Sequence, residues 1–328
     1  MRDIVGIDEM RVTEAIQREV WGLADVDIVP AAQLKAAVHA GGQLAGAFAD
    51  ESMIGFAYGL VARPHGPGME GVGLHSHMVA VREQGRQRGV GRALKWFQRQ
   101  WCLERSMPWI TWTFDPLQSR NANLNFEHLG VVSHEYLVDF YGVMAGPLGS
   151  NASDRLVALW LLDSEPVRRR ASEWSTAAHA GSRDVRDAAA SPGEAVARRE
   201  AAAEPRAQKE RVVLDDAGAV ADLWVLREED VVSASSPLVT DRKGADTVLG
   251  RDQEFRDALA DTTRRIALRV AVPPDVGSLK RSQPDLIDSW RSGIRATIIP
   301  ALAAGFTVVG FSEGAYLLER RPLVESQS

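Results

Sequence analysis

Hydrophobic and polar positions along residues 1–162 alternate in patterns that predict a succession of strands and helices. Runs rich in β-branched and aromatic residues predict strands, and apolar residues spaced three or four apart predict helices. The predicted elements are a short first strand, helices ending near Gly22 and His39, strands at 43–48, 53–61 and 74–81, a helix at 89–107, a strand at 109–114, a helix at 121–129 and strands at 131–138 and 156–162. This order of β, α, α, β, β, β, α, β, α, β, β predicts an α/β fold.

The pattern changes twice after residue 163. Residues 164–208 are rich in Ala, Arg, Glu and Ser and hold too few apolar residues for a core, so we predict a linker that is partly helical or mobile. Residues 209–328 return to regular periodicity, with a strong strand at 266–272 and a long helix at 285–304. The weaker elements of this part are strands near 211–214, 224–226, 307–311 and 315–318 and a helix at 252–259. We therefore predict one domain at 1–163 and a second α/β unit at 209–328 that walls a substrate cleft.

The stretch from Leu74 to Lys95 carries the clearest chemical signal. Its turn, RQRGVG from Arg86 to Gly91, directs several backbone N–H groups to one place at the positive end of the following helix. Such a turn binds anions, and phosphate is the obvious one. The pattern is neither a P-loop nor a dinucleotide fingerprint, because no Lys-Ser or Lys-Thr pair follows and Leu94 stands where a third glycine would be. The alternative is a glycine-softened connection with a basic exposed face.

The same residues resemble the pyrophosphate loop of the GNAT (Gcn5-related) N-acyltransferases, Q/R-x-x-G-x-G/A, which follows a strand and opens a helix. The predicted element order is also the GNAT order, so the resemblance covers about residues 1–162. The run SRNANLNFEHLGV is similar to the second helix motif of the family, with Ala122, Phe126 and Gly130 at its Ala, Tyr and Gly positions. The resemblance implies a mixed, largely antiparallel sheet flanked by helices. Residues 209–328 are compatible with a degenerate GNAT-like half.

The resemblance also implies a cofactor site for acetyl-CoA or succinyl-CoA. In the family the fourth and fifth strands splay apart, and the pantetheine arm lies between them against the backbone of the fourth, here near Val79 and Val81. The expected pyrophosphate ligands are Arg86, Gln87, Arg88, Gly89, Val90, Gly91 and Arg92. Residues of the second helix motif, Asn121, Asn123 and Phe126, are expected beside the pantetheine.

Several residues are candidates for moving protons at this site. His75, His77, Glu83 and Asp115 are candidate bases for the attacking amine. Strand alternation predicts that His75 and His77 share one face, with Ser76 and Met78 on the other. Each histidine could instead be a core residue, and Asp115 before Pro116 could instead cap the loop.

The usual acid of the family is absent, because Phe126 stands at the tyrosine position of the motif. Tyr136 or Tyr141 could protonate the leaving thiolate from the next strand, or water could do so. Four runs, SHM, LKW, ITWTFDPL and SDRL, resemble an uncharacterised bacterial GNAT branch linked to amino-acid N-succinyltransferases. A succinyl carboxylate would need a cation, for which Arg155 is the candidate; a strand-edge salt bridge is the alternative.

Composition narrows the class of protein. The net charge of -6 argues against a nucleic-acid partner, since no overall positive field draws in a polyanion. The single cysteine, Cys102, excludes a disulfide framework and a multi-cysteine metal site and is predicted to be a core residue; we expect no metal. Neither a signal peptide nor an apolar run of membrane-spanning length is visible, so we predict a cytoplasmic protein without a membrane partner.

Together these observations predict an acyl-CoA-dependent N-acyltransferase. It would transfer an acetyl or succinyl group directly from acyl-CoA to the amine of a small molecule or amino acid. The alternatives are a non-catalytic acyl-CoA-binding or sensing module, suggested by Phe126, and a scaffold whose loop binds nothing. The candidate assembly is a homodimer.

Overall fold

The computed structural model describes residues 1–86, 88–142, 144–146, 149–151, 153–180, 208–213, 220–225, 259–260 and 266–320. Its helices are α1 Ile7–Trp21, α2 Ala31–His39, α3 Val90–Leu103, α4 Ser119–Ala122, α5 Glu165–Ala180, α6 Val276–Ser282 and α7 Asp285–Ala303. Helix α4 continues into a π-helical segment, Asn123–Leu129. The strands are β1 Arg2–Asp3, β2 Gln43–Ala49, β3 Ser52–Ala62, β4 Gly73–Val81, β5 Trp109–Phe114, β6 Tyr136–Leu137, β7 Met144–Gly146, β8 Gly149–Asn151, β9 Arg155–Leu161, β10 Gln208–Val213, β11 Val220–Val225, β12 Ile266–Ala271, β13 Thr307–Ser312 and β14 Ala315–Arg320.

A seven-stranded sheet runs in the order β1-β2-β3-β4-β5-β9-β6. The pairs from β1 to β4 and the pair β9–β6 are antiparallel, whereas β4 and β5 are parallel. This confirms the predicted GNAT-like, largely antiparallel sheet and its order of helices and strands. A separate hairpin, β7–β8, lies outside this sheet.

Both faces of this sheet are covered by helices. Helices α1 and α2 pack on one face, where Met10, Ile16 and Leu34 join Phe56 in one buried cluster. Helix α3 packs on the other face, where Leu94 meets a cluster of alanines from β2 and β3. Each fully buried large apolar side chain contributes about 1.5–3 kcal/mol relative to an exposed one. The small alanine side chains allow α3 to lie close to the sheet.

The chain divides into two compact units. The first is residues 1–112 with 159–191, and the second is residues 113–158 with 192–328. Segment 113–158, which contains α4, therefore packs with the C-terminal part of the chain. The boundaries at 163 and 208 inferred from composition stay predictions. Within the predicted linker the structure describes α5, and residues 181–207 lie outside the described part.

The C-terminal part forms a five-stranded sheet in the order β10-β11-β12-β14-β13, antiparallel throughout. Helix α7, predicted at 285–304, buries one apolar face, with Ile287, Ile294 and Ile298 almost inaccessible to solvent. Among the last three strands of the chain, β14 lies between β12 and β13, so their order in the sheet is first, third, second. The same order relates β5, β9 and β6. That the C-terminal part is a degenerate GNAT-like half stays a prediction. The helix predicted at 252–259 falls almost wholly outside the described residues.

Two predicted elements are shorter than expected. The strand expected at 131–138 is reduced to β6, because Ser133 instead exchanges two backbone hydrogen bonds of 2.9 Å with Val308 of β13. Helix α3 was expected to reach Met107 but ends at Leu103. There Ser106 takes a left-handed φ of 57°, and the Met107 amide turns back to bond the Cys102 carbonyl at 2.9 Å.

Candidate functional site

Strand β4 carries one extra residue at His77. Its pairing with β3 passes from Tyr58 opposite Met78 to Gly59 opposite Ser76, which is a β-bulge. Ser76 bonds to side chains of α3, whereas Met78 packs against the cluster formed with α1 and α2. The prediction that Ser76 and Met78 share a face is therefore wrong, because the bulge resets the alternation of side chains after His77.

Strands β4 and β5 part immediately before this bulge. They pair only at Leu74 with Ile110 and at His75 with Thr111, among the residues that the structure describes. We call the point of separation, bounded by that last pair and by Ser76 and Trp112, the fork. Beyond the fork, the edge of β4 that faces away from β3 has no partner strand in the described part of the chain. The splay implied by the family resemblance is thus confirmed.

The loop after β4 presents the N-terminus of α3. Gly89 has a φ of 70°, which a residue with a side chain adopts only with strain, and the first helical bond runs from the Ala93 amide to the Gly89 carbonyl at 2.9 Å. The amides that precede this bond have no acceptor within a helix. A Cβ atom on Gly91 would come no closer than 3.8 Å to Val81, so the fold itself does not require a glycine there. A loop of this form is suited to holding a phosphate anion.

The arginines around this loop differ in their exposure and in their contacts. Arg82 forms an ion pair with Glu19 at 3.0 Å, and Arg86 and Arg88 are exposed. The guanidinium of Arg92 lies 4.7 Å from the ring centre of Trp174 in α5, and burial lowers its pKa. Gln87, also predicted to bind pyrophosphate, lies outside the described residues.

The two histidines of β4 lie together on the face opposite α3. Nδ1 of His75 is 3.1 Å from the hydroxyl of Thr111, and the two imidazole centres are 6.3 Å apart. Burial, with smaller effects from the neighbouring His77, Lys95 and His65, lowers the pKa of His75 to about 4. His77 is exposed, stands edge-on to the Tyr58 ring and has its pKa lowered by partial desolvation.

These environments separate the candidate bases of the first unit. A group with a pKa near 4 is a weak proton acceptor at neutral pH, so His77 is the stronger candidate of the pair. Glu83 lies in an exposed 3₁₀ turn, Glu83–Gly85, at the start of the loop. Val79 and Val81 lie on β4 beyond the bulge and pack against the cluster that contains Leu94.

A buried polar network beneath the fork was not predicted. Nζ of Lys95 donates to the Ser76 hydroxyl at 2.8 Å, and that hydroxyl donates to Oε1 of Gln98 at 2.8 Å. Lys95 is only 4% exposed, and its Nζ lies 3.5 Å from the ring centre of Trp112. Burial lowers the pKa of Lys95 well below its usual range. Lys95, Gln98 and the buried Cys102 are spaced at i, i+3 and i+7, which places them on one face of α3. This spacing is the signal in the sequence from which the burial of Lys95 could have been predicted.

Asp115 belongs to the second unit and has structural partners there. Its Oδ1 accepts from the Leu117 amide at 3.0 Å, so the carboxylate caps the loop that follows β5. The same oxygen pairs with the buried Arg291 of α7 at 3.3 Å. The loop-capping alternative therefore describes what this carboxylate does in the structure, and its use as a base stays a prediction.

Phe126 lies in the core of the second unit. It is fully buried in the π-helical segment, and its ring stands edge-on to Phe114 at 6.3 Å and to Tyr316 of β14 at 5.8 Å. Asn121 and Asn123 are exposed on the same helical stretch. The expected contacts of these residues with pantetheine stay predictions.

The candidate acid Tyr136 is held by a carboxylate. Its hydroxyl donates to Oδ2 of the buried Asp154 at 2.6 Å, and Nε of Arg295 donates to the same oxygen at 2.7 Å. Burial, and then the hydrogen bond and charge of Asp154, raise the pKa of Tyr136 above its ordinary value.

The other two candidates of the second unit lie beside each other. The ring of Tyr141 is exposed, and its centre lies 5.0 Å from the guanidinium of Arg155. Arg155 also donates to the Asp154 carbonyl at 2.8 Å. Neither the acid role of Tyr141 nor the substrate role of Arg155 follows from these contacts, and both stay predictions.

Cys102 is buried and burial raises its pKa to about 12, as expected of a core residue. Within the described ranges, no cluster of three or more His, Cys, Asp or Glu side chains is arranged to hold a metal ion. None of the helices that the structure describes is both long and apolar enough to cross a bilayer.

The order of elements, the order of the sheet and the fork between β4 and β5 define a GNAT-type fold. No protein-family model and no curated protein matches the chain. Among solved structures, it is similar to the ribosomal-protein-S18-alanine N-acetyltransferase of Escherichia coli, at 12% identity over 49% of this chain and 92% of that one, with a TM-score of 0.40. It is also similar to the ribosomal-protein-alanine N-acetyltransferase of Brucella melitensis, at 16% identity over 49% and 98% with a TM-score of 0.39. A GNAT family acetyltransferase of Elizabethkingia anophelis with acetyl-CoA bound matches at 11% identity over 44% and 86%, with a TM-score of 0.33. Likeness at this level concerns the fold and carries no argument about activity.

Proposed function

We propose that this protein is an acyl-CoA-dependent N-acyltransferase acting on the amine of a small molecule or amino acid. One observation carries the proposal. The edge of β4 that loses its partner strand after His75 leads directly into the open N-terminus of α3 at Gly89. The two features are consecutive in the chain, and together they offer an extended arm a backbone edge and a phosphate an anion site.

In the proposed complex the pyrophosphate accepts hydrogen bonds from the first amides of α3 and from the exposed Arg86 and Arg88. The pantetheine arm bonds to the free edge of β4, and a backbone N–H near Val79 polarises the thioester carbonyl. The substrate amine attacks that carbon, the new C–N bond forms and the C–S bond breaks. His77 or water accepts the amine proton, and the leaving thiolate takes a proton from water, since Phe126 has none to give.

The acyl group is proposed to be acetyl or succinyl. Succinyl transfer requires a cation for the distal carboxylate, and Arg155 is the proposed partner because its guanidinium is partly exposed beside Tyr141. Replacing Arg155 with Met should weaken succinyl-CoA binding and leave acetyl-CoA binding unchanged. If Arg155→Met changed the affinities for succinyl-CoA and acetyl-CoA by the same factor, the succinyl assignment would be contradicted.

A non-catalytic acyl-CoA-binding module is the alternative, and one observation favours it. The aromatic residue at the acid position, Phe126, is fully buried against Tyr316, and the hydroxyl of the candidate acid Tyr136 is bonded to Asp154. In such a module the same loop would bind acyl-CoA without turnover.

Calorimetric titration with acetyl-CoA and succinyl-CoA tests the shared part of both proposals. If the protein binds neither acetyl-CoA nor succinyl-CoA, both proposals are rejected. A thiol-release assay across a panel of amino acids and small amines then separates them, because the enzyme releases CoA with at least one acceptor. Tight binding without release across the panel would favour the binding module.

A further inference from the structure

Lys95 contacts both strands at the point where they separate. Ser76 is the first residue of β4 after the last β4–β5 pair, and Trp112 is the first residue of β5 after it. Lys95 donates to the hydroxyl of Ser76 at 2.8 Å and places its Nζ 3.5 Å from the ring centre of Trp112. On the opposite face, the side chains of His75 and Thr111, which form the last β4–β5 pair, contact each other.

The surroundings of Lys95 hold these contacts in one geometry. The Ser76 hydroxyl uses its proton on Gln98, which leaves an oxygen lone pair for Lys95. The Trp112 ring is backed edge-on by the fully buried Trp160, with ring centres 6.0 Å apart. A hydroxyl and an aromatic face thus receive the amine, and its position is determined from both strands.

A lysine is an expensive residue to bury at this position. Its amine is nearly inaccessible to solvent, and none of the ion pairs found in the described part of the chain involves it. Burying a charged or polar group without a carboxylate partner costs free energy that an apolar side chain of the same length would avoid. Packing alone therefore does not account for a lysine here.

We propose that Lys95 is a positioning residue that braces the fork between β4 and β5, so that the free edge of β4 is held ready for the pantetheine arm. This inference rests on the proposed function. Lys95 lies four residues after Gly91, about one helical turn. The same helix therefore presents the anion site at its N-terminus and braces the fork one turn later.

Two probes separate the fork from the anion site. Acetyl-CoA occupies both, whereas adenosine 3′,5′-bisphosphate carries the nucleotide end of CoA without the pantetheine arm. In Lys95→Met, which keeps the side-chain length and removes the amine, the Kd for acetyl-CoA should rise about tenfold or more, while the Kd for the bisphosphate changes by less than about twofold. Lys95→Arg, which keeps a hydrogen-bond donor on a long side chain, should restore most of the acetyl-CoA affinity.

The matched control is Lys35→Met, in which a surface lysine that bonds the Val5 carbonyl is removed; its affinities should equal those of the wild type. If Lys95→Met does not fold, Ser76→Ala removes the same bond from the strand side and should give the same selective loss. An unchanged acetyl-CoA affinity, or an equal loss for both probes, would overturn the bracing role. A wild-type protein that binds neither probe would instead reject the proposed function.

Discussion

His75 is the residue whose surroundings make the most direct statement about pH. Burial lowers its folded-state pKa to about 4 from the ordinary 6.5. Between these values the unfolded chain binds more protons than the folded one, so the free energy of unfolding falls as the pH drops from 6.5 to 4. The slope attributable to one such group approaches 1.4 kcal/mol per pH unit, and roughly 2 kcal/mol is expected across the window.

Urea unfolding of the His75→Asn variant from pH 7 to pH 4 measures this contribution. Asparagine can keep a hydrogen bond to Thr111 but does not titrate, so the variant should lose stability less steeply on acidification than the wild type. His39→Asn, at an exposed histidine ending α2, should follow the wild-type curve. If the stability of His75→Asn followed the same pH profile as that of the wild type, the lowered pKa of His75 would not account for the loss of stability in acid.

At the residue scale, the sequence singles out positions whose identity alone is informative. The loop glycines and the two histidines of β4 were named for that reason, and their roles stay predictions. Lys95 and the partner of Phe126 were missed for physical reasons. Charged residues are seldom buried, so a lysine inside a helical stripe is read as a surface residue. The ring that covers Phe126 comes from Tyr316, far along the chain, and no local pattern connects the two.

The loop and helix α3 act as one element, which a substitution at Gly91 can test. In Gly91→Glu a carboxylate occupies the place proposed for pyrophosphate, while the helix gains up to about 1 kcal/mol from leaving glycine and a few tenths from its dipole. Thermal stability should therefore hold or rise, and acetyl-CoA affinity should fall at least about tenfold.

Gly91→Ala is the matched control, because its methyl group meets only ordinary contact with Val81 at 3.8 Å. It should bind acetyl-CoA more tightly than Gly91→Glu does, with unchanged folding. Calorimetry and thermal unfolding of both variants provide the measurement. Wild-type affinity in Gly91→Glu would place the phosphate elsewhere.

Helix α7 is anchored by a carboxylate of the second unit. Asp154 is fully buried and accepts from Arg295, Tyr136 and the Asp139 amide. Replacing Arg295 with Met leaves the buried charge without its cation, and breaking such a pair costs about 3 kcal/mol. The midpoint of urea unfolding should fall accordingly.

Arg281→Met serves as the comparison, since Arg281 is exposed on α6 and donates a hydrogen bond to the Ser278 hydroxyl at 3.1 Å. A surface substitution of that kind is expected to change stability by less than about 0.5 kcal/mol. Equal unfolding midpoints for the two variants would show that the anchor of α7 contributes nothing.

At the level of whole elements, sequence patterns predicted what local periodicity determines. The hairpin β2–β3, the strand β5 and helix α7 were predicted within one or two residues, because each carries its own repeat of two or about 3.6. The bulge in β4 could not be predicted, since it is defined by pairing with β3 rather than by the residues of β4 alone.

At the scale of the whole molecule, the compact units and the shift in composition divide the chain at different positions. Residues 113–158 share a compact unit with the C-terminal part, although the shift in composition begins near residue 164. The long-range contacts that join these segments include those of Arg291 with Asp115, Arg295 with Asp154 and Tyr316 with Phe126.

A protein shortened to residues 1–163 should therefore be poorly folded. It would expose the Phe126 ring and leave the carboxylates of Asp115 and Asp154 without their arginines, each a loss of the order of 2–5 kcal/mol. Size-exclusion chromatography and urea unfolding should show aggregation or a transition far broader than that of the full chain. A monomer that unfolds cooperatively would instead support the boundary inferred from composition.

The extra residue in β4 has a consequence for how this protein can change over generations. His77 is the extra residue of the bulge, whereas Ser76 and Met78 on either side each pair with β3 and have contacts of their own. We therefore expect Ser76 and Met78 to keep their contacts when residue 77 is replaced. Selection can therefore vary position 77 with little effect on protein abundance, whereas its neighbours are constrained by packing. In a library of all substitutions, position 77 should tolerate change in abundance, so any loss of activity there identifies a functional role and not a defect of folding.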